Sequence, residues 1–224
     1  VSIAGTAPLE SVELFRGLER VHTHAIGASM DPRRVRILWT GASRKTSYSG
    51  AIWDGRVSLT GAGVASVEKM RFDSPRSYLH DVTAAGLRWH SVTCGYTSGI
   101  ALALDGDDDI HLDAVVATSA ISRPAFGEHG EVFLPKMSYS PSESLAFDLD
   151  LRDLDNGPRE FDLGVLDRKV SVSLAPKPGG PDTAEFSFTD PAPRPGTNPY
   201  WVRVVQTDME MAWSSPVFVD FAGT

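Results

Sequence analysis

Short runs of apolar and β-branched residues recur along the whole chain, and almost none keeps the 3.6-residue spacing of a long helix. Glycine, proline, aspartate and asparagine punctuate the runs. The pattern predicts strands over 34–41, 56–60, 64–72, 87–94, 99–105 and 110–118, and later over 144–151, 169–175, 184–189, 200–206 and 217–221. Val35 and Ile37 alternate with Arg34 and Arg36, so that strand is expected to show one face to water. So many strands with frequent turns predict an all-β, mainly antiparallel β-sandwich with at most one or two short helices.

Two segments carry helix punctuation. Ser74 and Pro75 can serve as N-cap and first helical residue for a helix over 76–85, with Gly86 closing it. Over 8–16, the apolar residues Leu9, Val12, Leu14 and Phe15 fit helix and strand equally, and Gly17 follows. Residues 176–199 hold seven of the 15 prolines, which predicts loops around one edge strand, because proline cannot donate to a sheet ladder. Gly157-Pro158 and Gly127 mark further loops. No repeat and no clean linker is visible, so 1–224 reads as a single domain.

At 224 residues the chain is long enough to bury a sizeable core. Its formal charge of −8 argues against nucleic acid and anionic membranes as partners, since both select a basic face. No apolar run reaches transmembrane length and no signal peptide is legible, so a soluble chain without membrane insertion is expected. The chain opens at Val1 without a methionine, as a processed or trimmed product would. The single cysteine, Cys94, rules out an intrachain disulfide. It reads as a small buried core thiol, and His90 is its only local candidate base.

Other chemistry is thin. Asp105, Asp107 and Asp109 alternate as oxygen ligands for calcium would, but Ile110 and Val116 stand where an EF-hand needs glycine and glutamate. A turn between strands 99–105 and 110–118 accounts for the same residues. Gly95-Tyr96-Thr97-Ser98-Gly99 misplaces its serine for a nucleophile elbow, and no phosphate-binding or dinucleotide loop is present. Asp148, Asp150, Asp153 and Asp155 read as a solvated strand face rather than as paired glycosidase carboxylates. Of the five tryptophans, Trp39, Trp53, Trp89 and Trp213 read as core. Trp201 alternates with Tyr200 and Val202, so either it or they must face away from the core. That makes Trp201 the candidate ligand platform.

The chain's end is its most specific wording. Tyr200-Trp201-Val202-Arg203-Val204 and Ala212-Trp213-Ser214-Ser215-Pro216 flank the polar Gln206-Thr207-Asp208, which predicts a β-hairpin. The strand is expected to break at Pro216 and resume as Val217-Phe218-Val219. This hairpin resembles the carboxyl-terminal end of PHP-type (polymerase and histidinol phosphatase) metallohydrolase-like proteins. More closely, it resembles a bacterial group of unknown function related to the carbaryl-hydrolase-like enzymes. The likeness runs from about 3 to 219 and includes Arg34 to Gly41, Trp53-Asp54-Gly55 and Trp89-His90-Ser91-Val92-Thr93 with Gly95 and Gly99. Asp208-Met209-Glu210 departs from it, since relatives turn there with Asp-Gly.

The resemblance implies a non-catalytic accessory domain, a strand over 12–16, and an upstream catalytic domain or subunit as partner. Assembly into a homo-oligomer is a second way to meet the same need. The divalent metal it implies belongs to the absent catalytic domain, so no cofactor and no catalytic residue is expected here. Family enzymes bind metal through a His-x-His pair near the start of the catalytic domain, and His22-Thr23-His24 has that spacing. The pair sits instead in the accessory region. His80, His90, His111 and His129 form no second ligand motif, so a solvated strand pair is the plainer reading. Two alternatives stand beside the accessory role: a carbohydrate-binding module with exposed aromatics, and a stand-alone hydrolase, which needs titratable residues converging in one pocket.

Overall fold

A computed structural model of the chain describes residues 1–27, 29–41, 50–121, 143–164 and 167–223. Gly127 and His129 lie outside the described residues. In chain order the strands are β1 (Ser2–Ala4), β2 (Leu9–Arg16), β3 (Glu19–His24), β4 (Met30–Thr40) and β5 (Gly50–Met70). Next come β6 (Tyr78–Thr83), β7 (Gly86–Thr93), β8 (Ser98–Ile121), β9 (Glu143–Asp150) and β10 (Arg159–Asp162). The last are β11 (Lys169–Pro176), β12 (Thr183–Glu185), β13 (Gly196–Gln206), β14 (Met211–Trp213) and β15 (Val217–Phe221). The fold is all-β. Among the described residues one short 3-10 helix, Leu151–Asn156, interrupts the strands.

The chain divides into two compact units, one of 1–30 with 176–224 and one of 31–175. No linker marks either division, because each falls inside a strand: Met30 and Asp31 both belong to β4, and Ala175 and Pro176 to β11.

The 31–175 unit is an eight-stranded sheet in the order β10-β11-β4-β8-β5-β7-β6, with β9 also on β8. Its two longest strands fold it over. β5 and β8, of 21 and 24 residues, pair antiparallel along their length, with slips of register at Thr60/Ala62 and Val64/Ser66. Before the slip, β5 lies between β7 and the far half of β8, which carries β9 on its other side. Beyond it, the near half of β8 lies between β4 and the end of β5. Glycine permits the bend. Gly61 and Gly106 hold φ of 84° and 151°, and a Cβ on either would strike the backbone opposite, at Asp109 and Gly61.

The two halves enclose one core. Val35, Ile37, Ile100, Leu102 and Val170 from one half meet Val57, Leu87, Leu112 and Val116 from the other. At its centre Trp39 stacks on Trp89 with ring centroids 5.0 Å apart. Two of the buried indoles find acceptors: Trp39 Nε1 donates to Ser91 Oγ (3.1 Å) and Trp53 Nε1 to Thr93 Oγ1 (2.9 Å). Gly55 is obligatory here, since a Cβ would overlap the Trp89 ring.

Three expectations change. The helix over 76–85 is instead the strand β6, hairpinned to β7 with Tyr78 opposite His90 and Thr83 opposite Gly86. Ser74 starts only a turn, accepting from Ser77 N–H (2.9 Å), and the β-favouring Tyr78, Val82 and Thr83 follow the ladder. The segment at Asp105 is no turn between two strands, because 99–105 and 110–118 are arms of the single strand β8. Likewise 56–60 and 64–72 merge in β5. The sequence reading placed turns where the chain bends without reversing.

The unit of 1–30 and 176–224 contains the sheet β14-β13-β2-β3, with β15 also on β13, and the separate pair β1–β12. Residues 12–16 are strand, within β2. The expected edge strand over 184–189 shrinks to Thr183–Glu185, and Pro199 is drawn into β13. β13 turns into β14 as the hairpin pattern predicts, with Arg203 opposite Trp213 and Val205 opposite Met211. The strand then breaks over 214–216 and resumes as β15. Ser214 anchors the break: its N–H donates to Val202 O and its Oγ accepts from Val202 N–H, both at 3.0 Å.

Candidate functional site

The break has a geometric effect. Arg203 faces Trp213, whereas Tyr200 faces Val217, so the register slips by one residue between β14 and β15. Residues directly opposite in an antiparallel pair share a face. Trp213, opposite Arg203, and Phe218, opposite Pro199, therefore lie on the face that carries Trp201 and its partner Phe15. Val217 and Val219 lie on the other face, opposite Tyr200 and Asn198. Met211, Trp213, Val217, Phe218 and Val219 are all exposed, so this edge is apolar on both faces. No charged residue occurs over 211–219. β14 and β15 pair only with β13, which leaves their outer edge open among the described residues.

The inner strands of the same sheet are charged but internally matched. Glu13 is buried on β2, where Arg20 Nη1 and Arg203 Nε each donate to its carboxylate at 2.7 Å. Burial alone would raise the Glu13 pKa, but the bonds and charges of Arg20 and Arg203 outweigh it and hold it below its ordinary value. Asp190 accepts from Tyr200 Oη (2.6 Å) and Arg16 Nη1 (2.8 Å), and Arg16 also pairs with Glu19 (2.9 Å). The bond to Asp190 holds the Tyr200 phenol above its usual range. These networks hold the Glu13 and Asp190 carboxylates in guanidinium and phenol bonds across the sheet.

The sequence candidates are placed as follows. His22 and His24 share a face of β3, with ring centroids 6.4 Å apart, and each ring is taken by a phenylalanine: His24 stacks on Phe186 (4.5 Å) and His22 on Phe188 (4.7 Å). They are half-buried under those rings rather than open to water, and no carboxylate or further histidine joins them to make a metal set among the described residues. Asp105, Asp107 and Asp109 lie on β8, and Asp109 is ion-paired to Arg152. Asp109 and Arg152 help line a hollow of about 390 Å³ with Arg33, Asp155 and Leu151, where the acid is already met by guanidinium charge.

Cys94 is exposed, not buried, because Thr93, the last residue of β7, takes the inward position. His90, its candidate base, is bonded through Nδ1 to Asp54 Oδ1 (2.7 Å) and stacked beside Tyr78 (5.3 Å). Trp201 is half-buried and occupied: it stacks on Phe15 (4.3 Å, planes 6° apart) and its Nε1 donates to Gly17 O (2.7 Å). The exposed indole is Trp213, which the sequence reading had put in a core.

The sequence did not single out His111. It is bonded through Nδ1 to Asp150 Oδ1 (2.9 Å), with Asp113 and Asp148 within 4 Å of its other nitrogen. The bond to Asp150, helped by the other two carboxylates, holds its pKa above the ordinary imidazole value. Cross-strand pairing of His111 with Asp150 and of Asp113 with Asp148 creates this group, and that pairing is invisible before β9 is placed on β8. His111 is half-buried and its three carboxylates are exposed, and Asp113 and Asp148 also line a hollow of about 320 Å³ with Arg56 and Phe147.

No helix among the described residues is long and apolar enough to cross a membrane. No protein-family model, curated protein or solved structure matches the chain. Among the described residues the edge β14–β15 carries five exposed large apolar side chains and no charge over 211–219.

Proposed function

We propose that this chain is a non-catalytic accessory β domain of a PHP-type metallohydrolase-like protein, and that its work is to pack on, or assemble with, another polypeptide. One observation carries the reading. The second half of the hairpin that bears the resemblance, Ala212 to Pro216, and the Val217-Phe218-Val219 that follows it form the bare apolar edge rather than any core. Sequence kept apolar where water would meet it on both faces is suited to a partner surface. Under this reading the edge meets either the catalytic domain, where the divalent metal belongs, or a further copy of the chain. Support also comes from the polar groups of this chain, whose closest sets are engaged in strand-fixing pairs.

The second reading, a carbohydrate-binding module, draws on the exposed Trp213 and Phe218 sharing one sheet face. A sugar stacks on one face only, whereas Val217 and Val219 are equally bare on the other, which favours protein over glycan.

The test is an assay of the purified chain against chromogenic esters and phosphate esters with zinc or manganese added. The accessory reading expects no turnover above buffer. Metal-dependent turnover that disappears in His22→Ala or His24→Ala would overturn it.

A further inference from the structure

We infer that the occupant of the bare edge is a second copy of this chain, joined by antiparallel addition of β15 to β15 about a twofold axis. The inference rests on the assembly reading above and names its partner.

Three features argue for a copy. The first is the open strand edge. β15 lacks the usual protection against pairing: it holds no lysine and no bulge, and its only charge, Asp220, accepts from the Thr197 hydroxyl (2.6 Å). Pro216 lies just before the strand and cannot interrupt its ladder. Pairing centred on Phe218 sets Val217 against Val219 of the copy and keeps the two Asp220 residues apart. A strand meeting itself antiparallel is self-complementary, as a twofold interface must be.

The second is charge. Each copy carries −8, so two copies repel except across a neutral surface, and 211–219 is an uncharged stretch of nine residues on an open edge.

The third is area. Met211, Trp213, Val217, Phe218 and Val219 are 42, 57, 65, 67 and 46% exposed. With ~150–250 Å² for each aromatic ring, the five together offer roughly 500 Å² of apolar surface. Edge pairing covers the flanks of these side chains and not their faces, so the interface falls below the ~800 Å² per partner of a standard one and a weak, concentration-dependent dimer is expected. Edge pairing sets the flanks of Val217, Phe218 and Val219 beside those of the copy on both faces of the joined sheet, as cross-strand neighbours.

The experiment is sedimentation of the purified chain from micromolar to several hundred micromolar, with Phe218→Lys and Val82→Lys beside the wild type. Val82 is an exposed position on β6, far along the chain from the edge, and controls for the added charge. The wild type and Val82→Lys are expected to move from 24.2 kDa toward twice that mass as concentration rises. Added salt should strengthen the dimer by screening the two negative chains. Phe218→Lys should stay monomeric with an unchanged circular dichroism spectrum and melting temperature. A wild type that stays monomeric throughout, a dimer weakened by salt, or a Phe218→Lys dimer as tight as wild type would each overturn the inference. Hydrolytic turnover by the same preparations would overturn the accessory reading whatever the mass, so the two failures are distinct.

Discussion

The core of the 31–175 unit and the terminal edge of the other unit hold the same residue type in opposite states. Trp39, Trp53 and Trp89 are fully buried, while Trp213 stands in water on an equally regular strand. In the first region the sheet doubles back at Gly61 and Gly106, so each inward ring meets a second layer. In the second, β14 and β15 lie outermost in their sheet, and the described residues leave both of their faces bare. An aromatic residue on a strand is therefore a demand for a partner layer. Whether the chain itself supplies that layer decides between core and interface.

The contrast is broken most forcefully by truncating one indole from each region. Trp39→Ala is expected to cost ~3–5 kcal/mol in urea unfolding, through lost burial, a cavity in the stack on Trp89, and the loss of the indole bond to Ser91. Trp213→Ala should stay within about 0.5 kcal/mol of wild type for the dilute monomer. Equal losses at the two sites would mean that the terminal edge is internally covered after all.

A middle-sized effect sharpens what holds the terminal sheet together. Glu13→Gln should cost about 1.5–3 kcal/mol, because two guanidinium groups lose their shared charge. The Glu13 pKa is held below its ordinary 4.5, so its contribution is complete above that pH and is lost as pH falls through the lowered folded value. Melting temperatures of wild type and Glu13→Gln should therefore differ at neutral pH and converge in acid. A gap that persists far below pH 4.5 would contradict the assignment.

The smallest effect concerns the hairpin turn. Met209 holds φ of +70°, a left-handed conformation in which its side chain is strained. Met209→Gly should raise stability by roughly 0.5–1 kcal/mol in chemical denaturation, since glycine adopts that conformation freely and the relief exceeds the added unfolded-state entropy. A loss instead would place the value of Met209 in a contact rather than in its backbone.

Much of the sheet structure was legible along the chain because strand signals are local. The break at Pro216, the hairpin from Tyr200 to Trp213 and the strand of Val35 and Ile37 follow from alternation and turn residues alone, but the expected water face of that strand does not: Arg36 is buried, with its Nε donating to Ser173 Oγ (3.0 Å). The helix over 76–85 failed because cap residues are also turn residues, and only the ladder to β7 chose between them. The double strands of β5 and β8 were cut short because a glycine that bends a strand is spelled like one that reverses it. At the candidate site, the motif was legible but its exposure was not. Trp201 was preferred over Trp213, since position within a strand does not say which strand is outermost.

The sequence by itself determined that this is an all-β protein, where most of its strands run and that its last strand breaks at Pro216, because backbone propensity and side-chain alternation act over a few residues. It also set an acidic chain with an uncharged stretch over 211–219. Only the tertiary structure decided that β5 and β8 each serve two layers and that Glu13 is buried between arginines. It alone decided that His22 and His24 lie under phenylalanines, and that the apolar edge at 211–219 is left outside. Those outcomes depend on which strands become neighbours, and pairing between residues nearly two hundred positions apart, such as Phe15 with Trp201, leaves no mark in the local pattern.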